Sequence, residues 1–344
     1  MHTSAAVAHL RETAHPDRVG PVATRRLADV HEMLGMQMGW IDAELRRMAA
    51  TGLSPGTDSA RHLLDAGGKR VRPLALLLSA ACFGSIPQPA CELAVVAELV
   101  HLATLLHDDV VDDAPERRGK PAARVLWGNA VSVLAGDLLL THALERTSAV
   151  APRAILADLF ATLRRLVDGE IVQLRGRTEL DPRQATYFAI VEDKTASLFA
   201  WAARAGAAIA GASEAHVQAL GEFGGHVGVA FQLVDDLLDY EGDPALTGKN
   251  LHTDLREGKL TLPLILAVER NPALRDELGL ARDLDRDAAA RLVAAVHSLR
   301  TGEEVRALAD RETARALAAL ARLPSSPARE MLAAIATELT ARVK

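Results

Sequence analysis

The chain has 344 residues, 49% of them hydrophobic but only 3% aromatic, and carries a net charge of −6. A core built largely without aromatics is an Ala, Leu and Val core, and because alanine and leucine are strong helix formers the composition favours an all-α fold. Nothing in the acidic balance points to a nucleic-acid binder, which usually carries a basic face, and no uncharged apolar run reaches the ~18 residues of a membrane span, so neither nucleic acid nor a transmembrane segment is expected.

Residues 1–20 are polar, lack the apolar core of a signal peptide and read as a leader; residues 21–344 read as one all-helical domain. A helical pattern runs over about 23–50. The stretch 51–72 is broken by Gly and Pro, and Pro73 suits the first turn of an almost wholly apolar helix over about 73–83. "GSIPQPA" reads as a loop, followed by a long helix from Cys91 to about Val111 and a second loop, "APERRGKPA". Helices are expected at about 129–148, 152–175, 184–212, 214–240 and 260–269, with shorter Arg- and Glu-rich helices after Asn271. No run alternates as a strand does, and the total is ten or more helices. Cys82 and Cys91 lie in apolar helical sequence and read as buried free thiols, which fits a reducing cytoplasm.

The long helix ends in "LLHDDVVDDAPERRGK". At 3.6 residues per turn Asp108 and Asp112 share one face a turn apart, where like charges repel unless a cation lies between them. Oxygen ligands of this kind suit Mg²⁺, which bridges one or two carboxylates to substrate phosphates. One such motif is equally an acidic helix end in water. A second copy, "FQLVDDLLDY", places Asp235, Asp236 and Asp239 at the same spacing on another apolar helix, so two acidic triplets can face a common cavity. Basic residues follow in pattern: Lys69, Arg70 and Arg72 in "GGKRVRP", Arg117 and Arg118, Lys194 with Thr195, and Lys249 and Lys259. Planar Arg forks, Lys point charges and a bridging metal together are what diphosphate binding requires.

These motifs, with "GEIVQL", "DKTASLF" and "GKNLHTDLREGKLTLPLI", resemble the trans-isoprenyl diphosphate synthase (polyprenyl synthetase) family over roughly residues 30–340. The resemblance implies a helical bundle around a deep central cavity, a homodimer, and head-to-tail joining of an allylic diphosphate (C5–C20) to isopentenyl diphosphate with release of pyrophosphate. It implies about three Mg²⁺ ions once substrate is bound. Asp108, Asp112 and Asp235 are then direct ligands, with Asp109, Asp236 and Asp239 supporting. Arg117, Lys194, Lys249 and Lys259 meet the allylic diphosphate, and Gln232 and Thr195 help stabilise the leaving group or the cation. Lys69, Arg72, His101 and Arg118 hold isopentenyl diphosphate; without the resemblance His101 reads as a core histidine, and His107 stays structural.

Family members with short products carry bulky aromatics four or five residues before the first aspartate. Here Thr104 and Ala103 stand there, with Val100 and Ala97 below. Phe160 is the candidate floor, with ordinary core packing as its other reading. Small residues point to a product of C30–C50, with a C20 geranylgeranyl diphosphate synthase as the competing reading. A terpene cyclase has no need of "GGKRVRP", and a non-catalytic subunit of a heteromeric synthase usually loses motifs that are intact here. A long apolar product also implies passing contact with a membrane on release.

Overall fold

The structure, a computed structural model, describes residues 21–241, 258–282 and 285–341. It is all-α, as the composition favours, apart from one short ladder. In chain order the helices are α1 (Pro21–Ala49), α2 (Gly56–Asp65), α3 (Val71–Ala81), α4 (Gln88–Val111), α5 (Ala123–Trp127), α6 (Asn129–Val150), α7 (Arg153–Glu179) and α8 (Gln184–Ile190). A π-turn over Val191–Ala196 joins α8 to α9 (Ser197–Ile209), followed by α10 (Glu214–Glu241). The rest are α11 (Leu262–Arg270), α12 (Leu274–Arg282), α13 (Arg286–Ser298), α14 (Thr301–Leu320) and α15 (Pro327–Thr340). The Gly- and Pro-broken stretch 51–72 contains α2, and "APERRGKPA" forms a two-residue antiparallel ladder, β1 (Glu116–Arg117) with β2 (Lys120–Pro121). The ladder is too short to show a period.

The chain's contacts gather into two compact units. Unit 1 takes the described residues up to Asp158 with Ala202–Leu220 and Arg322–Ala334. Unit 2 takes Leu159–Trp201, Gly221–Ala321 and the described residues from Ile335 on. Unit 1 is organised by α4, where Leu93, Ala94, Val95, Val96, Ala97, Leu99 and Val100 are fully buried. At roughly 1.5–3 kcal/mol for each large aliphatic side chain, this helix contributes heavily to stability. By length and composition α4 is apolar enough to cross a membrane, but 72% of its most apolar window is buried in the protein, as in a core helix.

Helix α6 approaches α4 closely because its facing residues are small. A Cβ on Gly136 would stand 2.3 Å from His107 Nε2. Ser132 donates to the Leu106 carbonyl at 3.0 Å, and His107 Nε2 lies 3.2 Å from both the Val133 carbonyl and the Asp137 carboxylate. His107 is thus a tie between helices, as expected of a structural residue. Cys82 and Cys91 are buried free thiols.

In unit 2 the core joins α8, α10, α11 and α14 through Tyr187, Val191, Leu233, Leu237, Leu262, Ile265 and Val305.

Candidate active site

In unit 1 the backbone before α3 sets the basic residues. Gly67 has φ +86°, and Arg70, at φ +48°, adopts the left-handed conformation just before the helix starts. The Arg70 side chain is 7% exposed; its Nη1 donates to Glu98 Oε1 at 2.7 Å and its Nε to Asp42 at 3.3 Å. Glu98, 2% exposed, lies three residues before His101 on α4. A Cβ on Gly68 would stand 2.7 Å from Arg70 Nη1 and 3.1 Å from Arg118 Nη1, so glycine lets two guanidinium groups approach the same backbone. Arg118 sits in the β1–β2 turn at φ +54°, and the neighbouring Arg117 donates from Nε to Asp109 Oδ1 at 2.7 Å.

These groups make a cationic patch with few counter-charges. Burial lowers the pKa of Arg72 to about 10, with Glu98 opposing and Arg118 adding to the fall. Partial loss of hydration around its guanidinium also lowers Arg118, against Glu98 and reinforced by Arg70 and Arg117, although the residue remains exposed. Burial tends to lower Arg70 too, but Glu98 and Asp42 outweigh it. Burial and then Arg72, Arg118, Arg70 and Arg117 hold His101 well below its ordinary 6.5, so it is neutral. Such a patch favours binding of a polyanion.

A pH effect follows. Between the depressed folded pKa of His101 and 6.5 the unfolded chain binds more protons there, so stability falls as pH drops through that window. Thermal melts of the ligand-free protein should show Tm falling on acidification below about 6.5, and falling less in His101→Gln. Superimposable pH profiles for the two proteins would remove His101 from this patch.

On α4 the partly exposed side is His101, Thr104, Leu105, Asp108 and, just past the helix, Asp112. The chain-length candidates on α4 differ in exposure: Val100 and Ala103 are 0% and 2% exposed, and Thr104 is partly exposed beside Asp108. Phe160, expected to close the cavity, is 52% exposed on α7 in the single chain, so this chain alone does not enclose it. It lies in an exposed apolar stripe with Val167, Ile171 and Leu174. Leu105 was missed because periodicity alone does not say which of two adjacent apolar residues faces outward.

In unit 2 one face of α10 carries Gly224, Gly228, Gln232 and Asp236 at four-residue spacing. A Cβ on Gly224 would stand 2.5 Å from the Phe199 carbonyl oxygen, and one on Gly228 2.5 Å from Ala196 Cα. The glycines therefore bring α10 against the π-turn and α9, and the polar residues on the same face meet their partners. Thr195 Oγ1 donates to Gln232 Oε1 at 3.0 Å, and Gln232 Nε2 donates to Asp236 Oδ1 at 2.8 Å. The hydroxyl of Tyr187, a residue the sequence reading passed over, donates to Asp236 Oδ2 at 2.6 Å.

The π-turn holds Lys194 and Thr195. A single π-turn shifts the helical phase, a device common at functional sites and invisible to hydrophobic pattern. Arg165 fixes it from α7, donating to Asp193 at 2.6 Å and to the Glu192 carbonyl at 3.1 Å. Gly169 lets α7 lie close, since a Cβ there would be 2.9 Å from the Lys194 nitrogen. The Lys194 ammonium is ion-paired with Glu170 of "GEIVQL".

Asp109 and Asp236 are buried and held by Arg117, Tyr187 and Gln232, which suits supporting roles. Asp108, Asp112 and Asp235 are partly exposed, as is Lys259 ahead of α11, and Asp239 is buried at 5%. Lys249 lies outside the described residues. No three His, Cys, Asp or Glu side chains among the described residues close on a point that would hold a metal by themselves. An all-oxygen donor set of two half-exposed carboxylates a turn apart still fits Mg²⁺, whose sites are completed by water and substrate phosphate.

The comparisons with known proteins agree in kind. A family model described as Polyprenyl synthetase matches residues 56–298. The octaprenyl diphosphate synthase of Escherichia coli (strain K12) is 32% identical over 313 residues, covering 90% of this chain and 97% of that protein. The nonaprenyl diphosphate synthase of Mycobacterium tuberculosis is 40% identical over 291 residues, 81% of this chain and 84% of its own length. A polyprenyl synthase from Caulobacter crescentus, solved with calcium and isoprenyl diphosphate, superposes with a TM-score of 0.86 at 36% identity, covering 92% of this chain and 97% of that one.

Proposed function

We propose that this chain, which belongs to the polyprenyl synthetase family, is a prenyltransferase that joins isopentenyl diphosphate to an allylic diphosphate head to tail. It extends an all-trans chain to about six to ten isoprene units (C30–C50) and releases pyrophosphate at each step, with one unit's length close to a helical turn of ~5.4 Å. The observation that carries this reading is the pair of aspartate motifs, each with its own set of cations. The octaprenyl and nonaprenyl relatives support the long product.

In this reading Asp108, Asp112 and Asp235 hold the divalent metal, which we take to be Mg²⁺ in about three ions. When bound, the metal neutralises charge developing on the leaving diphosphate. Arg117, Lys194 and Lys259 bind and orient the allylic diphosphate, so the C–O bond that breaks leaves its electron pair on an oxygen already faced by cations. Lys249 belongs to the same proposed set. Lys69, Arg72, His101 and Arg118 pin the second diphosphate separately, which positions its double bond to form the new C–C bond. The proton lost from isopentenyl diphosphate passes to the released pyrophosphate. Gln232 and Thr195 offer oxygen dipoles to the cation.

Chain length gives the test. Thr104→Phe places a bulky ring on the open side of α4, one turn from Asp108. Its longest product should be shorter than wild type while catalysis persists, as read by chromatography after dephosphorylation. A product of unchanged length would mean that the growing chain does not run along α4.

We further propose a homodimer. The stripe Phe160, Val167, Ile171 and Leu174 repeats at seven, four and three residues, and a second copy covering it would remove exposed apolar surface from water. Two buried free thiols support a cytoplasmic setting, and a long apolar product favours passing contact with a membrane on release.

A further inference from the structure

We infer that Tyr187 is a positioning residue for the second aspartate motif, acting through Asp236. This rests on the proposed reaction and adds a residue to it. The ring is 6% exposed and packs in the unit 2 core with Val191, Leu233 and Leu237, so its hydroxyl is fixed from behind. It donates to Asp236 Oδ2 at 2.6 Å, while Gln232 Nε2 donates to Oδ1 at 2.8 Å. Asp236 is 3% exposed. One oxygen is therefore held by α8 and the other by a residue one turn back on α10.

The order of donors gives the chain a direction. A carboxylate only accepts, so the Gln232 amide must turn its NH₂ to Asp236 and its oxygen to Thr195. Thr195 must then spend its proton on that oxygen, at 3.0 Å, and presents lone pairs elsewhere. Tyr187 holds the rotamer of Asp236, and Asp236 in turn orients Gln232 and, through it, Thr195. Asp235 is the chain neighbour of Asp236, so the same anchor fixes the end of α10 that carries the half-exposed carboxylate.

A buried tyrosine hydroxyl needs some partner in any case, so stability alone does not separate positioning from packing. Tyr187→Phe keeps the ring and removes only the donor. For wild type and variant we would measure kcat, the KM for isopentenyl diphosphate, and the Mg²⁺ concentration giving half-maximal rate. A fourth readout, the rise in Tm on adding Mg²⁺ with inorganic pyrophosphate, needs no turnover.

Loss of one charge-assisted hydrogen bond corresponds to a fall in kcat of about ten- to a hundredfold. The Mg²⁺ requirement should rise and the Mg²⁺–pyrophosphate stabilisation shrink. The KM for isopentenyl diphosphate should stay within about twofold, because its proposed residues lie in unit 1. In an Asp236→Asn background Tyr187→Phe should add little, since the partner it acts on has already changed. A variant with lower Tm but wild-type kcat and Mg²⁺ response would overturn the inference, and so would two substitutions whose effects simply multiply. If Tyr187→Phe does not fold, the comparison of Asp236→Asn with Asp236→Asn/Tyr187→Phe carries the test, and a further large fall in kcat in the double variant would overturn the inference. Wild-type protein that transfers no prenyl group would defeat the proposed reaction, while the Mg²⁺–pyrophosphate melts would still decide the role of Tyr187.

Discussion

Asp108→Ala and Asp235→Ala are each expected to lower kcat by roughly 10³-fold or more, because each removes a carboxylate that holds charge-neutralising metal at the leaving group. Both residues are partly exposed, on α4 and α10, outside the packed interior. Their loss should therefore cost less stability than loss of their buried neighbours. The adjacent residues supply the contrast. Asp109 is fully buried with its carboxylate on Arg117, and Asp236 is buried under two donors. Alanine at 236 leaves the buried Tyr187 hydroxyl unsatisfied, at about 1–3 kcal/mol, and alanine at 109 strips the half-buried Arg117 of its carboxylate. Steady-state kinetics beside thermal melts separate the two classes. Near-normal metal-dependent turnover in Asp108→Ala or Asp235→Ala would show that these carboxylates are not the metal ligands.

Glu98→Ala should give the largest loss of stability. It leaves Arg70 buried beside Asp42 at 3.3 Å without its shorter ion pair; breaking a buried pair from one side costs about 3–5 kcal/mol. It also removes the carboxylate that opposes the loss of charge on Arg72 and Arg118. Glu98→Gln keeps the shape and an acceptor for Arg70, so its loss should be smaller. An added diphosphate would replace the missing negative charge, and excess isopentenyl diphosphate should raise the Tm of Glu98→Gln more than that of wild type. Equal shifts would mean that Glu98 does not balance the charge of this patch.

How much of this was legible in the sequence depends on range. The long helices were readable because their apolar positions recur every three or four residues, and α4 and α10 could be placed along with the aspartates that end them. The diphosphate chemistry was readable from residue type, since few folds need two acidic triplets and so many Arg and Lys in fixed order. The π-turn under Lys194 was not, because a one-residue phase shift leaves hydrophobic spacing almost unchanged. Nor was the left-handed Arg70, which looks in sequence like any other basic residue. Glu98 did leave a signal, a lone carboxylate in the apolar run "VVAELVHLA" three residues before His101. Tyr187 left none, because its partner lies 49 residues away. Nor could spacing tell that Val100 and Ala103 are buried while Phe160 is exposed in the single chain, because spacing names a face and only packing tells which face is covered.

The most direct measurement is one incubation of the purified protein with farnesyl diphosphate, excess labelled isopentenyl diphosphate and Mg²⁺, with products sized by chromatography after dephosphorylation. A ladder ending at C30 or beyond, lost when the metal is chelated, is the result expected of a long-chain synthase. No incorporation of label with farnesyl diphosphate or with shorter allylic primers would contradict it.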